Sequence, residues 1–235
     1  MIDTKLILIE GVPCSGKSTT AKKLMSVISA CGIQCDCFLE WADNNPIFIG
    51  KMEDLSEIIS TTKSREQNVL QQWKNFVRRA KQQEVVNIIE SRFWQTDAMY
   101  LFLSGHSEFE VLERNQRIIS VLAELNPVLI YLAPKDIEQL HVQIIKRKNK
   151  KWRESGREGS WEEWGNRVYE RQKWFTNRLL DSKAMAMFFR EWASIADMLY
   201  ESFPFQKIKV QDPHTDWEHT IGDIQDYLEI EISGE

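Results

Sequence analysis

The run Gly11-Val12-Pro13-Cys14-Ser15-Gly16-Lys17-Ser18-Thr19 puts a lysine and two hydroxyls directly after the second of two glycines. Glycines let a backbone curl until successive N–H groups point inward, which makes an anion cradle, and a helix starting at Lys17 would add the positive end of its dipole. The pattern is that of a phosphate loop when it lies between a strand and a helix. The apolar run Lys5–Glu10 before it and the amphipathic stretch Ser18–Ala30 after it supply that setting. Residues Gly11 to Thr19 are therefore expected to cradle a nucleoside triphosphate. Lys17 would reach the β- and γ-phosphates, and the Ser18 hydroxyl would ligate Mg²⁺. Cys14 is expected to face outward from the loop.

Three acids, Glu10, Glu40 and Glu90, end apolar strands, where an open α/β sheet gathers its ligands. Trp41 follows Glu40 at once, and Glu90 begins Glu90-Ser91-Arg92-Phe93-Trp94-Gln95-Thr96-Asp97. On a helix carrying Val69, Trp73, Phe76, Val77 and Ala80 along one stripe, Arg65, Gln72 and Arg79 recur every seven residues on its flank, where side chains can reach into a cleft. Seven of the twelve residues from Lys146 to Arg157 are basic. Beside a phosphate loop such a stretch reads as a lid that neutralises charge on a transferring phosphoryl group, with Arg147, Lys151 and Arg153 as its cations. Trp41, Trp73 and Trp94 are expected around the acceptor cleft, and Trp161, Trp164 and Trp192 in the core.

These residues resemble the deoxynucleoside kinases and, more loosely, the thymidylate kinases, up to about residue 155. Glu40-Trp41 is similar to the glutamate and nearby tryptophan that end the second strand of deoxynucleoside kinases. Gln72 and Arg79 match their glutamine and arginine. Glu90-Ser91-Arg92 is similar to their Glu-Arg-Ser with one residue added, and the five-residue step from Arg92 to Asp97 is kept. The resemblance implies Glu40 as general base, Glu90 as an acid on the magnesium side, Arg92 as a phosphate clamp and Asp97 as a reader of the base. Gln72 and Arg79 would meet the base edge and the reacting 5′ end, with Trp41, Arg65 and Trp94 beside them.

The elements that must position these groups follow from periodicity. Short apolar runs at Lys5–Glu10, Gln34–Glu40, Val85–Glu90, Val128–Ala133 and Gln206–Val210 alternate with helical patterns, which predicts a five-stranded parallel sheet covered on both faces. One helix is expected through Trp161, Trp164, Val168, Phe175 and Leu179. The expected architecture is α/β, a three-layer P-loop NTPase of the nucleoside- and nucleotide-kinase type. It forms a single domain over residues 1–235, with a basic helical lid at about 146–160.

Thirty basic and thirty-five acidic side chains leave a net charge of −5, which gives no bulk field for nucleic acid. The N-terminal residues lack the pattern of an export signal, and no apolar run is long enough for a membrane. A cytoplasmic protein with reduced thiols is expected. Cys31, Cys35 and Cys37 fit neither a zinc pattern nor a disulfide framework. No guanine-reading Asn-Lys-x-Asp is present. The expected chemistry is ATP- and Mg²⁺-dependent phosphoryl transfer to a small molecule, a nucleoside or nucleotide first, with another metabolite or an antibiotic as alternative acceptors. A nucleotide-driven switch with a macromolecular partner is the competing class. A homodimer is compatible with all of these.

Overall fold

The computed structural model describes residues 3–48, 62–170, 172–176, 182–213 and 216–230. Five strands form one parallel sheet: β1 (Leu6–Gly11), β2 (Cys35–Phe38), β3 (Val86–Glu90), β4 (Val128–Ala133) and β5 (Lys207–Gln211), in the order β2-β3-β1-β4-β5. β1 lies at the centre, pairing with β3 (Ile9 opposite Glu90) and with β4 (Gly11 opposite Leu132). Its acid and its glycine therefore leave the sheet beside the carboxyl ends of two neighbours, at the point where the strand order reverses.

Alternation along the strands sorts the core into two layers. Leu6, Leu8, Ile89, Leu129 and Tyr131 face one side with Trp73, Phe93, Trp94 and Trp192, whereas Ile7, Ile9, Ile88, Ile130 and Leu132 face the other with Leu24, Ile28 and Ile224. The first side is covered by α2 (Thr62–Ala80), a short α3 (Met99–Leu103), α4 (Glu108–Leu122) and α7 (Ser182–Ser202), and the second by α1 (Lys17–Ala30) and α8 (Trp217–Tyr227). Cys31, Cys35 and Cys37 pack against the second layer as free thiols. Burial pushes Cys35 up to about 12 and Cys37 to about 11, so both stay protonated. Among the described residues no cluster of acids, histidines and cysteines forms a metal site, and no helix is long and apolar enough to cross a membrane.

The basic stretch is the second half of a long helix, α5 (Ile137–Glu154), followed by a turn and by α6 (Trp161–Tyr169). Ser160 opens α6 with a capping box: its hydroxyl accepts from Glu163 N–H, and Glu163 accepts from Ser160 N–H. The helix predicted to continue to Leu179 instead stops at Tyr169. A short 3₁₀ turn at Lys173–Phe175 lets Trp174 and Phe175 pack on Phe188, with centroids 5.2 and 5.8 Å away. Packing overrides the local pattern there, and Leu179 lies outside the described residues. On α4, Phe109 is exposed and lies off the buried stripe. That stripe runs through Val111, Ile118, Ile119 and Leu122.

Candidate active site

Gly11 leaves β1 against the backbone of β4. A Cβ there would lie 2.5 Å from the Leu132 carbonyl oxygen and 2.6 Å from Ser15 Oγ, so only glycine fits. Gly16 caps α1 at φ 101°, a left-handed conformation that costs glycine little. Lys17, at the first position of α1, is almost fully buried. Its ammonium donates to the carbonyls of Gly11 (3.1 Å) and Val12 (2.8 Å) and to Gln95 Oε1 (2.6 Å).

Glu90, at the end of β3, is the hub beside it. Its Oε1 accepts from Ser18 Oγ (3.0 Å) and Ser91 Oγ (2.9 Å), and its Oε2 accepts from the backbone N–H of Glu40 (2.8 Å). Ser91 is the residue added relative to the kinase pattern. It adopts φ 63°, a left-handed kink at the strand end. Ser18 and Glu90 present two hard oxygens side by side next to Lys17. That fits Mg²⁺, which takes one or two protein ligands and completes its shell with phosphate oxygens and water.

Glu40 follows β2. Gln95 Nε2 donates to its Oε1 at 3.0 Å. Burial, reinforced by the charge of Glu90, raises its carboxyl to about 7, against the pull of Lys17, Arg92 and the Gln95 hydrogen bond. Glu10 lies fully buried beneath. It accepts from the backbone N–H groups of Phe93 (2.8 Å) and Gln95 (3.3 Å), and burial raises it to about 8 despite Lys17 and those donors.

These groups open into a chamber of about 200 Å³. Its floor is Pro13, Cys14, Gly16, Lys17, Ser18 and Thr19 with Glu40, Glu90 and Gln95, and its walls are Trp41, Met99, Tyr100, Trp161, Trp164, Tyr169 and Lys148. Cys14, at φ 64°, lines this chamber rather than facing outward. A second groove of about 240 Å³ adjoins Ser15 and is lined by Pro134, Lys135, Asp136, Asp212 and Pro213. There the β4 and β5 ends are stitched together by Lys135 N–H donating to Asp212 Oδ1 (2.9 Å) and by Asp212 N–H donating to the Ala133 carbonyl (3.1 Å).

Several expected residues stand elsewhere. Trp73 and Trp94 are wholly buried core residues, Trp94 packing on Phe93 and Tyr131, whereas Trp161 and Trp164, expected in the core, are half-buried: they pack against it and also line the chamber. Arg92 is buried with its guanidinium 5.3 Å from the Trp41 ring centroid, and it does not line the chamber. Its Nε and Nη1 have no partner among the described residues. Burial lowers its pKa, against the favourable charges of Glu40, Tyr100, Glu90 and Glu10. Asp97 forms a buried ion pair with Arg114 (3.2 Å), and Arg114 also donates to the Glu66 carbonyl (2.7 Å), so the pair pins α2 rather than facing a ligand.

Gln72 accepts from the Phe48 N–H and donates to the Phe48 carbonyl (2.8 Å) and to Asn68 Oδ1 (3.2 Å). Arg79 is exposed at the far end of α2, and the side chain of Arg65 lies outside the described residues.

The lid cations also change places. Arg147 and Lys151 are exposed, and Arg153 lines a separate shallow groove with Asn149 and Glu163. Lys148 is the basic residue of α5 that lines the chamber, its ammonium 5.8 Å from the Trp161 ring centroid. The reason is helical geometry: Leu140 and Ile144 face inward, and steps of four continue that face to Lys148 and Trp152. Trp152 then packs tilted against Trp164 (centroids 5.9 Å apart) and donates to the Glu158 carbonyl (2.9 Å), joining α5 to α6. Residue spacing could have singled out Lys148, and a charged Arg114 on the apolar stripe of α4 was equally visible. Gln95 carried no such signal.

The fold is that of the P-loop deoxynucleoside kinases, as the likeness to solved structures shows. A deoxyadenosine kinase from M. mycoides with bound dATP matches at a TM-score of 0.53 and 15% identity, covering 96% of this chain and 99% of that one. The YorR protein from Bacillus subtilis, in complex with phosphorylated GDP, matches at a TM-score of 0.48 and 11% identity over 98% and 99% of the two chains. No protein-family model matches the sequence, and no curated protein is similar to it.

Proposed function

We propose that the chain is an ATP- and Mg²⁺-dependent kinase that transfers a phosphoryl group to a hydroxyl of a small, nucleoside-like acceptor. The observation that carries this reading is the convergence of Lys17, Ser18, Glu90 and Glu40 on one chamber. A phosphate-binding lysine, a metal-binding pair and a carboxylate near neutrality thus face the same space. The loop amides and Lys17 would hold the triphosphate, and Ser18 and Glu90 would hold Mg²⁺, which would supply charge stabilisation for the transferring group. Glu40 orients the acceptor hydroxyl and takes its proton. With a carboxyl at about 7, it balances being ionised against being basic enough to accept. Lys148 and the loop lysine offset charge as it develops. Trp41, Tyr100, Trp161 and Trp164 wall the acceptor, which favours a planar body with one hydroxyl presented to Glu40. A small-molecule partner and a cytoplasmic setting complete the proposal.

The test is mass spectrometry of products from ATP·Mg²⁺ and pooled nucleosides, nucleotides, sugars and aminoglycoside-like compounds, with Lys17→Ala as control. A compound that gains one phosphoryl group only with the wild-type protein supports the reading and names the acceptor. ATP turnover to free phosphate with every pool unmodified points to a nucleotide-driven switch instead.

A further inference from the structure

The side-chain amide of Gln95 touches both halves of this machinery. Its orientation follows from its partners: an ammonium only donates, so Lys17 meets Oε1 at 2.6 Å, and an ionised carboxylate only accepts, so Glu40 meets Nε2 at 3.0 Å. The residue is almost fully buried and sits in a π-helical turn, Trp94–Ala98, where Met99 N–H donates back to the Trp94 carbonyl. Such turns are uncommon and tend to occur at functional sites. Beneath the turn the buried carboxyl of Glu10 accepts from the N–H groups of Phe93 and Gln95. The turn is thereby fixed to the end of β1, one residue before the phosphate loop.

We propose that Gln95 is a positioning residue that holds Glu40 toward the acceptor and ties it to Lys17, with Glu10 bracing the turn that carries it. This rests on the kinase reading above. Gln95 occupies one oxygen of Glu40, and among the described residues no side chain donates to the second, which is the one to meet an acceptor hydroxyl; the Glu40 backbone N–H, donated to Glu90, anchors the residue. Holding a base in one place matters because misplacement by about 1 Å costs on the order of 100-fold in rate. Because one amide serves both partners, a change at Lys17 is felt at Glu40, and by linkage the reverse is true. The role is distinct from the one the kinase pattern gives to Gln72, whose amide bonds the backbone of Phe48 and the side chain of Asn68.

A double-mutant cycle reads this tie without needing turnover. The affinity of a non-hydrolysable ATP analogue with Mg²⁺ is measured for the wild type, Glu40→Ala, Gln95→Met and the double variant. The expected result is that the two single effects, multiplied, miss the double variant by about threefold or more. Agreement to within about 1.5-fold shows that the residues act independently and overturns the proposal.

In turnover, Gln95→Met is expected to lower kcat by about 30-fold with acceptor KM within about twofold, while the folded protein persists in a thermal melt. Gln95→Glu keeps an acceptor toward Lys17 but no donor toward Glu40, and is expected not to restore the rate. A wild-type kcat in Gln95→Met also overturns the proposal. If the wild type binds the analogue but phosphorylates no acceptor, the kinase reading fails, and the binding cycle still decides the tie.

Discussion

At the phosphate end of the chamber, Lys17, Glu90, Glu40 and Gln95 stand on or beside strand ends and are joined by hydrogen bonds of 2.6 to 3.0 Å. At the lid end, Lys148, Trp152, Trp161 and Trp164 come from α5 and α6 and meet through ring contacts of 5.8 to 6.5 Å. Directional bonds between short side chains fix atoms in place, whereas stacked rings define a wall and leave orientation looser. The first end is suited to chemistry that is the same for every acceptor. The second is suited to choosing the acceptor and to excluding water, as one fold hosts many substrates through such changes.

The largest expected difference between the ends is at Lys17. Lys17→Ala is expected to lower kcat by about 10³-fold, the loss typical of removing a charge-stabilising donor, while the folded protein persists in a thermal melt. A tenfold loss or less would mean that the phosphate end is not where charge is neutralised.

Glu10 gives a stability test at the same end. Its folded carboxyl, near 8, lies above its ordinary 4.5, so folding takes up a proton between those values. Stability from this group is fully present below about 4.5 and is lost as pH rises through about 8. In urea unfolding between pH 6 and 9 the wild type is expected to lose about 2 kcal/mol that Glu10→Gln does not. Parallel slopes for the two proteins would contradict the burial argument. Activity should run the opposite way: kcat is expected to rise as pH climbs through about 7, as Glu40 ionises.

The lid end should respond more weakly. Lys148→Ala is expected to cost about tenfold in kcat/KM, one cation's share of charge stabilisation, with Arg147→Ala and Arg153→Ala within about twofold of wild type. Equal losses at all three would return the lid role to the whole basic stretch. The smallest effect is expected at Gln72, where Gln72→Ala should cost about 1 kcal/mol of stability through lost hydrogen bonds and leave acceptor KM within about twofold. A large rise in KM would make Gln72 a reader of the acceptor after all.

The same contrast governs how much could be read from the chain. Five strands, their parallel pairing and the phosphate loop follow from local pattern: alternation sorts Leu6 and Leu8 from Ile7 and Ile9, and the glycine spacing encodes the loop directly. Glu40 and Glu90 were visible because an acid ending an apolar strand has no packing reason to be there. The acceptor end depended on which face of a helix meets which neighbour. Trp161 and Trp164 hold core-like spacing and pack against the core, but they also line the chamber, and Trp94 sits in a polar-looking stretch that folds inward. Asp97 matched a kinase pattern in position, yet a partner seventeen residues on, Arg114, claims it. Gln95 could be found only in three dimensions, since its partners come from β1, α1 and the end of β2.

The most direct test of the central claim follows the γ-phosphate itself. ATP labelled there is incubated with Mg²⁺ and the acceptor pools, using the wild type and Glu40→Gln, while binding of a non-hydrolysable analogue is measured in parallel. Label is expected in an organic product with the wild type. With Glu40→Gln a loss of about 100-fold or more is expected, with the analogue still bound. Label released only as inorganic phosphate, at the same rate in both proteins, would contradict that claim.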